Sequence, residues 1–409
     1  MQIAESLAAG TKPPGSRWLT TNDRIDVCRG LFAFLVVAAH CVDISWSMHP
    51  EVSGLYPPWL HKLLLHVAAA GVYWVIGFFV ISGYCIQLSV SRATDGDSFP
   101  LGRYLVARLS RILPLYYLAL LFAVAVEWLI APARPPCWRN GIDLDVLIAQ
   151  VFIVQNLTQT FGSFAPSWSI TNEMFYYVFF GLLVCAGLKH RIRATYLGMS
   201  VCVVVALLVE FLHFGVYRSP LILGTGLLFG LGTLWFLGAL VADHRDDLRR
   251  SRLARRASPF WPLILGLAMA MWYTQRIHLQ VVYVVLGVAF ASMLVSFIVA
   301  EESSVPDGAR RTVPRSVEML GLASYPTYLF HGPLVMLVGS VMLRWKLQTD
   351  WRLTWLVLFL FGVSSGIALG YFAERPIMRW RAGFLRRNPT STRPALGGLV
   401  NVGVVSVQQ

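Results

Sequence analysis

Apolar runs alternate with short polar segments along the chain, at about 26–44, 67–90, 112–131, 168–187, 195–214, 220–242, 259–274, 279–299, 324–343 and 351–373. A helix needs about 20 apolar residues to cross the hydrocarbon core of a bilayer, so these runs predict membrane-spanning helices. A further run, 144–157 (LDVLIAQVFIVQNL), is too short for a comfortable span and suits a re-entrant or interfacial helix. The alternating ten-residue segments of an outer-membrane barrel are absent. The predicted fold class is all-α: a polytopic membrane protein of about ten transmembrane helices plus one short helix. Residues 1–24 are polar and carry no signal-peptide apolar stretch, so the first hydrophobic helix is expected to act as its own insertion signal. Residues 25–387 read as one membrane domain without internal repeats. The stretch 388–409 starts Pro/Gly/Ser-rich and reads as a disordered cytoplasmic tail.

Composition sharpens the class. Of 409 residues, 56% are hydrophobic and 13% charged, against about 25% charged in soluble domains. A soluble enzyme, a disordered chain and a fibrous protein are excluded. The net charge of +13 is read as topology rather than nucleic-acid binding, because cytoplasmic loops of membrane proteins collect Lys and Arg. With ten spans and a cytoplasmic N-terminus, 26 of the 34 basic residues fall inside, the densest group lying between Arg245 and Arg256. Counting 144–157 as a full span would put that group outside, so both termini are assigned to the cytoplasm. None of the six cysteines has metal-ligand spacing, and neither a metal site nor a disulfide framework is expected.

Ionisable groups within spans cost about 2.5–3.5 kcal/mol on insertion scales and default to functional candidates. His40 lies eleven residues after Arg29 on the first helix, about 16 Å of rise, with Asp43 one turn further on the same face. A carboxylate there would fix the imidazole tautomer; His40 reads equally as a hydrogen-bonded core histidine. GFFVISGY, with Ser82, combines small residues that let helices approach with aromatics that fill space. RYLVARLSRILPLYY carries Arg108 and Arg111 on one helix face before Pro114 and Tyr116, suited to a phosphorylated cofactor or to lipid headgroups. PSWSITNEMFYY opens a span on the outer side; Ser169 and Glu173 read either as cap and dipole partners or as an acid with hydroxyls. SYPTYLFH places Tyr328 and His331 one turn apart in the ninth span. Glu127 and Glu210 are further buried acids without a role, Glu210 a candidate partner for an arginine. Trp46, Tyr56, Trp59 and Trp138 in the outer segments fit either an interfacial aromatic belt or stacking on sugar rings.

Together these segments resemble the acyltransferase-3 family of integral membrane acyltransferases. Arg29 and His40 match its Arg, ten residues, His pattern. GFFVISGY matches Phe-Phe-x-x-Ser-Gly; Arg108, Arg111, Pro114 and Tyr116 match Arg-x-x-Arg-Ile-x-Pro-x-Tyr. SWSITNEMFYY is similar to Trp-Ser-Leu-x-x-Glu-x-x-Tyr, with Ile170 for Leu. Ser324, Tyr325, Tyr328 and His331 match Ser-Tyr-x-x-Tyr-Leu-x-His, and Glu374 to Pro376 the closing Glu-Arg-Pro. The resemblance implies transfer of an acyl group, usually acetyl from cytoplasmic acetyl-CoA, to a hydroxyl of an extracytoplasmic glycan or glycolipid. It implies no permanently bound cofactor, since acetyl-CoA or another acyl-CoA is a donor substrate. Arg29, Arg108 and Arg111, with Ser82 and Tyr116, would bind the donor. His40 would be catalytic as base or acyl carrier, assisted by Glu173 from the outer face and by Asp43. Ser169, Tyr328 and His331 would line the substrate path. The partners implied are acyl-CoA, the acceptor and the lipid bilayer, in a bacterial inner membrane, with no nucleic acid. A secondary transporter or flippase is the rival reading, against which stands the absence of paired broken helices in two repeated halves.

Overall fold

The computed structural model describes residues 20–93, 99–138, 140–186, 191–213, 219–302, 315–347 and 350–387. The expected tail 388–409, and all but the last five residues of segment 1–24, lie outside the described residues. Within them the chain is helical and has no strand. The α-helices of eight or more residues are α1 (Thr21–Met48), α2 (Pro58–Ala69), α3 (Gly71–Ala93), α4 (Leu101–Ile130), α5 (Leu144–Val151), α6 (Trp168–Cys185), α7 (Arg191–His213), α8 (Pro220–Asp243), α9 (Trp261–Thr274), α10 (Leu279–Glu302), α11 (Arg315–Arg344), α12 (Trp351–Leu369) and α13 (Arg375–Arg387). Among the described residues, eight candidate spans are long and apolar enough to cross a membrane, α2 and α3 forming one of them and α12 and α13 another. The protein is an all-α polytopic membrane protein.

Two of the ten expected spans differ from the other eight. Helix α6 is 18 residues long and starts with Ser169, Asn172 and Glu173, which dilute its hydropathy. Helix α9 has 14 residues, about 21 Å at 1.5 Å per residue. It is extended by the 3-10 turn Ser258–Phe260.

Local signals set the helix starts. Thr20 and Asp23 form a reciprocal capping box on α1, and Ser219 and Asp350 cap α8 and α12. Contacts between ends then define two poles. At one, Thr21 donates to Glu301 at 2.6 Å, and Arg245 and Arg249 approach the same carboxylate. Gln87 of α3 meets Asp243 of α8 there. At the other pole His49 of α1 meets Thr354 of α12, His278 pairs with Glu210, and His66 packs on Trp272. The Arg-rich segments expected on the cytoplasmic side thus gather at the first pole, which is called the arginine pole below.

Packing relies on glycine where α3 crosses α8. A Cβ on Gly83 would stand 1.9 Å from the carbonyl oxygen of Trp235, and one on Gly238 1.9 Å from that of Val80. This is the close approach of small residues by which helices associate in lipid. The short run at 144–157, expected to be a re-entrant or interfacial helix, forms the eight-residue helix α5, and the chain folds back along α4. Tyr117 of α4 donates to the Val151 carbonyl at 2.9 Å. The returning chain offers the Ser163 N–H to Glu127, also of α4. Those two α4 positions are ten residues apart, about 15 Å along the axis.

Candidate active site

Helices α1 and α11 run parallel, with Gly321 against Asp26 near the arginine pole and Gly339 against Ile44 and Met48 near the other. That register brings His40 level with His331. Their Nδ1 and Nε2 atoms lie 2.8 Å apart, with ring centroids separated by 5.0 Å and planes 6° apart. On its far side, His331 Nδ1 faces the carbonyl oxygens of Thr327 at 3.1 Å and Tyr328 at 2.8 Å. Carbonyls only accept, so this nitrogen carries the hydrogen and donates. In the neutral ring His331 Nε2 is then an acceptor, and His40 Nδ1–H donates to it. The order leaves the lone pair of His40 on Nε2. That atom faces the start of α3, where a Cβ on Gly71 would stand 3.5 Å away.

The expected role of Asp43 is corrected here. Asp43 shares a face with His40, but the nitrogen it was to orient is engaged by His331. Spacing on one helix could not register a partner 291 residues away.

Glu173 also differs from expectation. Helix α6 begins at Trp168, so Glu173 is its sixth residue, beyond the first turn and inside the bundle rather than at the outer face. It accepts from Ser82 Oγ at 3.1 Å and from the Tyr177 hydroxyl, while Trp235 Nε1 donates to Ser82 at 3.3 Å. Ser82, Glu173 and Tyr177 line a cavity of about 100 Å³, together with Ser169, Tyr325, Tyr328 and three arginines. Ser169 and Tyr328 share a 2.6 Å hydrogen bond across it, and Tyr328 also donates to the Pro166 carbonyl at 2.7 Å. The Tyr328 ring lies 6.1 Å from that of His331, so one residue separates the cavity from the histidine pair.

Arg29, Arg108 and Arg111 line this cavity and also a second, wider one that opens at the arginine pole. Arg92, Arg103 and Arg381 complete the wall of the second cavity, where Asp26 supplies the acidic side chain. Six guanidinium groups around one opening make an anion site, and Arg is the side chain suited to bidentate phosphate contacts. Glu374 lies in electrostatic range of Arg29, Arg111 and Arg381. It is buried, has one oxygen without a hydrogen-bond partner, and ends a π-helical turn, Gly370–Glu374. Such turns are frequent at functional sites.

The structure therefore brings together Arg29, Ser82, Arg108, Arg111, Ser169, Glu173 and Tyr328, with His40 and His331 beside them. Tyr116 is elsewhere: its hydroxyl donates to the Gln150 carbonyl at 2.8 Å and lies 3.1 Å from the Gln150 side chain. It ties α4 to α5 and lines neither of these two cavities, apart from the other residues expected to bind the donor. Glu127 pairs with Arg134 at 2.8 Å, and Glu210 pairs with His278 at 2.7 Å rather than with an arginine. Sequence reasoning passed over Arg92 and Arg381. Their only signal was general, a basic residue at a cytoplasmic helix end. Among the described residues no cluster of His, Cys, Asp and Glu has metal-binding geometry.

The family model described as an acyltransferase domain, that of the acyltransferase-3 family, matches residues 22–375. The chain belongs to that family. No curated protein and no solved structure is detectably similar to it. The acyltransferase-3 match runs from the first turn of α1 to the start of α13. It therefore includes the histidine pair and every residue of the inner cavity, and leaves Arg381 beyond its end.

Proposed function

We propose that this membrane acyltransferase moves an acyl group, most simply acetyl, from cytoplasmic acetyl-CoA to a hydroxyl of an extracytoplasmic glycan or glycolipid. The bacterial inner membrane is the natural setting. The observation that carries the reading is an inner cavity that shares Arg29, Arg108 and Arg111 with the six-arginine cavity and lies one residue, Tyr328, from a histidine pair of assigned tautomer. The arginines suit the phosphates of a nucleotide donor. The inner cavity suits a pantetheine arm, with Ser82, Glu173 and Tyr177 as polar contacts among apolar walls. His40 Nε2 suits the role of general base. It takes the proton of the acceptor hydroxyl while that oxygen attacks the thioester carbonyl; the C–S bond breaks, and the imidazolium returns the proton to the departing thiolate. The same lone pair suits an acyl-histidine route, for which no separate observation speaks.

The test uses membranes containing the protein, radiolabelled acetyl-CoA and a panel of cell-envelope glycans, beside His40→Ala. Label entering one glycan with wild type and not with the variant supports the reading and names the acceptor. If wild type neither transfers nor hydrolyses acetyl-CoA, and its removal leaves envelope acetylation unchanged, the acetyl reading fails and longer acyl donors are tried in the same assay.

A further inference from the structure

Between α4 and α5, Trp138 has φ 49°, a left-handed conformation that a bulky side chain adopts only where the surroundings impose it. What imposes it is a clamp on the tryptophan's carbonyl oxygen. Arg134 Nη2 donates to that oxygen at 2.6 Å, and the same guanidinium pairs with Glu127 on α4 at 2.8 Å. The other Glu127 oxygen accepts the Ser163 N–H at 2.6 Å. Only glycine fits at position 162, because a Cβ there would stand 1.7 Å from Arg134 Nη2 and 2.8 Å from the Trp138 carbonyl. Glu127 is 6% exposed, so its carboxylate is withdrawn from water, while the Arg134 side chain stays partly exposed. Neither group lines the two cavities.

The indole that this clamp fixes lies against His40. Its ring centroid is 5.0 Å from that of the imidazole, with the planes at 87°. His331 holds one edge of His40 from α11, and the indole meets the same ring from the loop at the pole opposite the arginines. We propose that Trp138 is a positioning residue that caps His40 on the acceptor side, and that the Glu127–Arg134 pair is the clamp that keeps the cap in place. The functional weight of the cap rests on the reading of His40 as the reactive group; its geometry does not.

The test reads that geometry without needing an acceptor. Full-length protein in nanodiscs is pulsed with diethyl pyrocarbonate, which carbethoxylates unprotonated imidazole. Mass spectrometry then follows His40 against His278, which is exposed at the same pole. In Trp138→Ala the His40/His278 ratio is expected to rise severalfold as the site opens locally, while Trp138→Phe stays near wild type. Arg134→Gln keeps the indole but releases its carbonyl, and is expected to raise the ratio as Trp138→Ala does. A wild-type ratio in Trp138→Ala overturns the cap, and one in Arg134→Gln overturns the clamp. The two lesions are independent, so misfolding of one variant leaves the other to decide. Failure of His40 as the reactive group would appear as acyl transfer retained by His40→Ala, with the labelling ratios unaffected.

Discussion

Replacing His331 by leucine removes the acceptor of the 2.8 Å hydrogen bond from His40 at nearly constant volume. His331 is fully buried, so water does not readily take its place, and the His40 Nδ1–H is left unsatisfied in the bundle. An orphaned buried donor costs about 1–3 kcal/mol, which at about 1.4 kcal/mol per decade is ~5- to ~150-fold. The ring can escape the penalty by moving its proton to Nε2, which removes the lone pair that accepts the substrate proton. Either way the loss falls on the transfer step. We expect His331→Leu to lower kcat within that range, with the KM for acetyl-CoA unchanged, because the arginine cavity is untouched. Gln at position 331 can place an amide oxygen where Nε2 stood and is expected to recover most of the rate. The assay is initial-rate transfer in membranes at equal protein content. Wild-type kcat in His331→Leu would refute the relay, and so would a loss that appears equally in Gln and Leu.

Three further outcomes follow from the same geometry. Arg111→Gln should raise the KM for acetyl-CoA by about tenfold, the weight of one charge-assisted contact, with kcat changed less, and Arg111→Lys should fall between; initial-rate kinetics separate the two constants. Tyr116→Phe should leave the donor KM unchanged and cost about 1 kcal/mol of stability through the lost bond to Gln150, read by thermal unfolding in detergent. Gly83→Val forces a side chain to within 1.9 Å of a backbone carbonyl, and should separate α3 from α8, with a loss of about 1–3 kcal/mol or more visible as early melting and aggregation on gel filtration.

The architecture was legible wherever one-dimensional signals suffice. The expected spans at 26–44, 220–242, 279–299 and 324–343 lie within α1, α8, α10 and α11, and that at 112–131 passes the end of α4 by one residue, because long apolar runs have no other stable form in lipid. The run at 144–157 is set apart from the spans by length alone, which suits a re-entrant or interfacial helix. The convergence of Arg29, Ser82, Arg108 and Arg111 on one cavity was also legible, because each sits in a short motif of its own. What failed were statements about partners. Helical spacing says which residues share a face and not which helix that face meets. Asp43 was therefore credited with a role that His331 fills from α11, and Tyr116 was assigned to a donor although it faces α5. Glu173 was placed at the surface because its capping neighbours looked like a helix start, whereas α6 begins five residues earlier. Trp138 sits in a loop with no periodicity, and its left-handed backbone is set by Glu127, which sequence reasoning left without a role.

The proposed transfer is vectorial: the donor would bind at the arginine pole, and the histidine would serve an acceptor on the opposite side. Sealed vesicles of defined orientation test it most directly. With radiolabelled acetyl-CoA supplied only to the outside medium, inside-out vesicles carrying wild-type protein should label glycan enclosed in the lumen, and His40→Ala vesicles should not. Right-side-out vesicles should remain unlabelled until they are permeabilised. Labelling that requires right-side-out vesicles, or that proceeds equally with His40→Ala, would contradict the account.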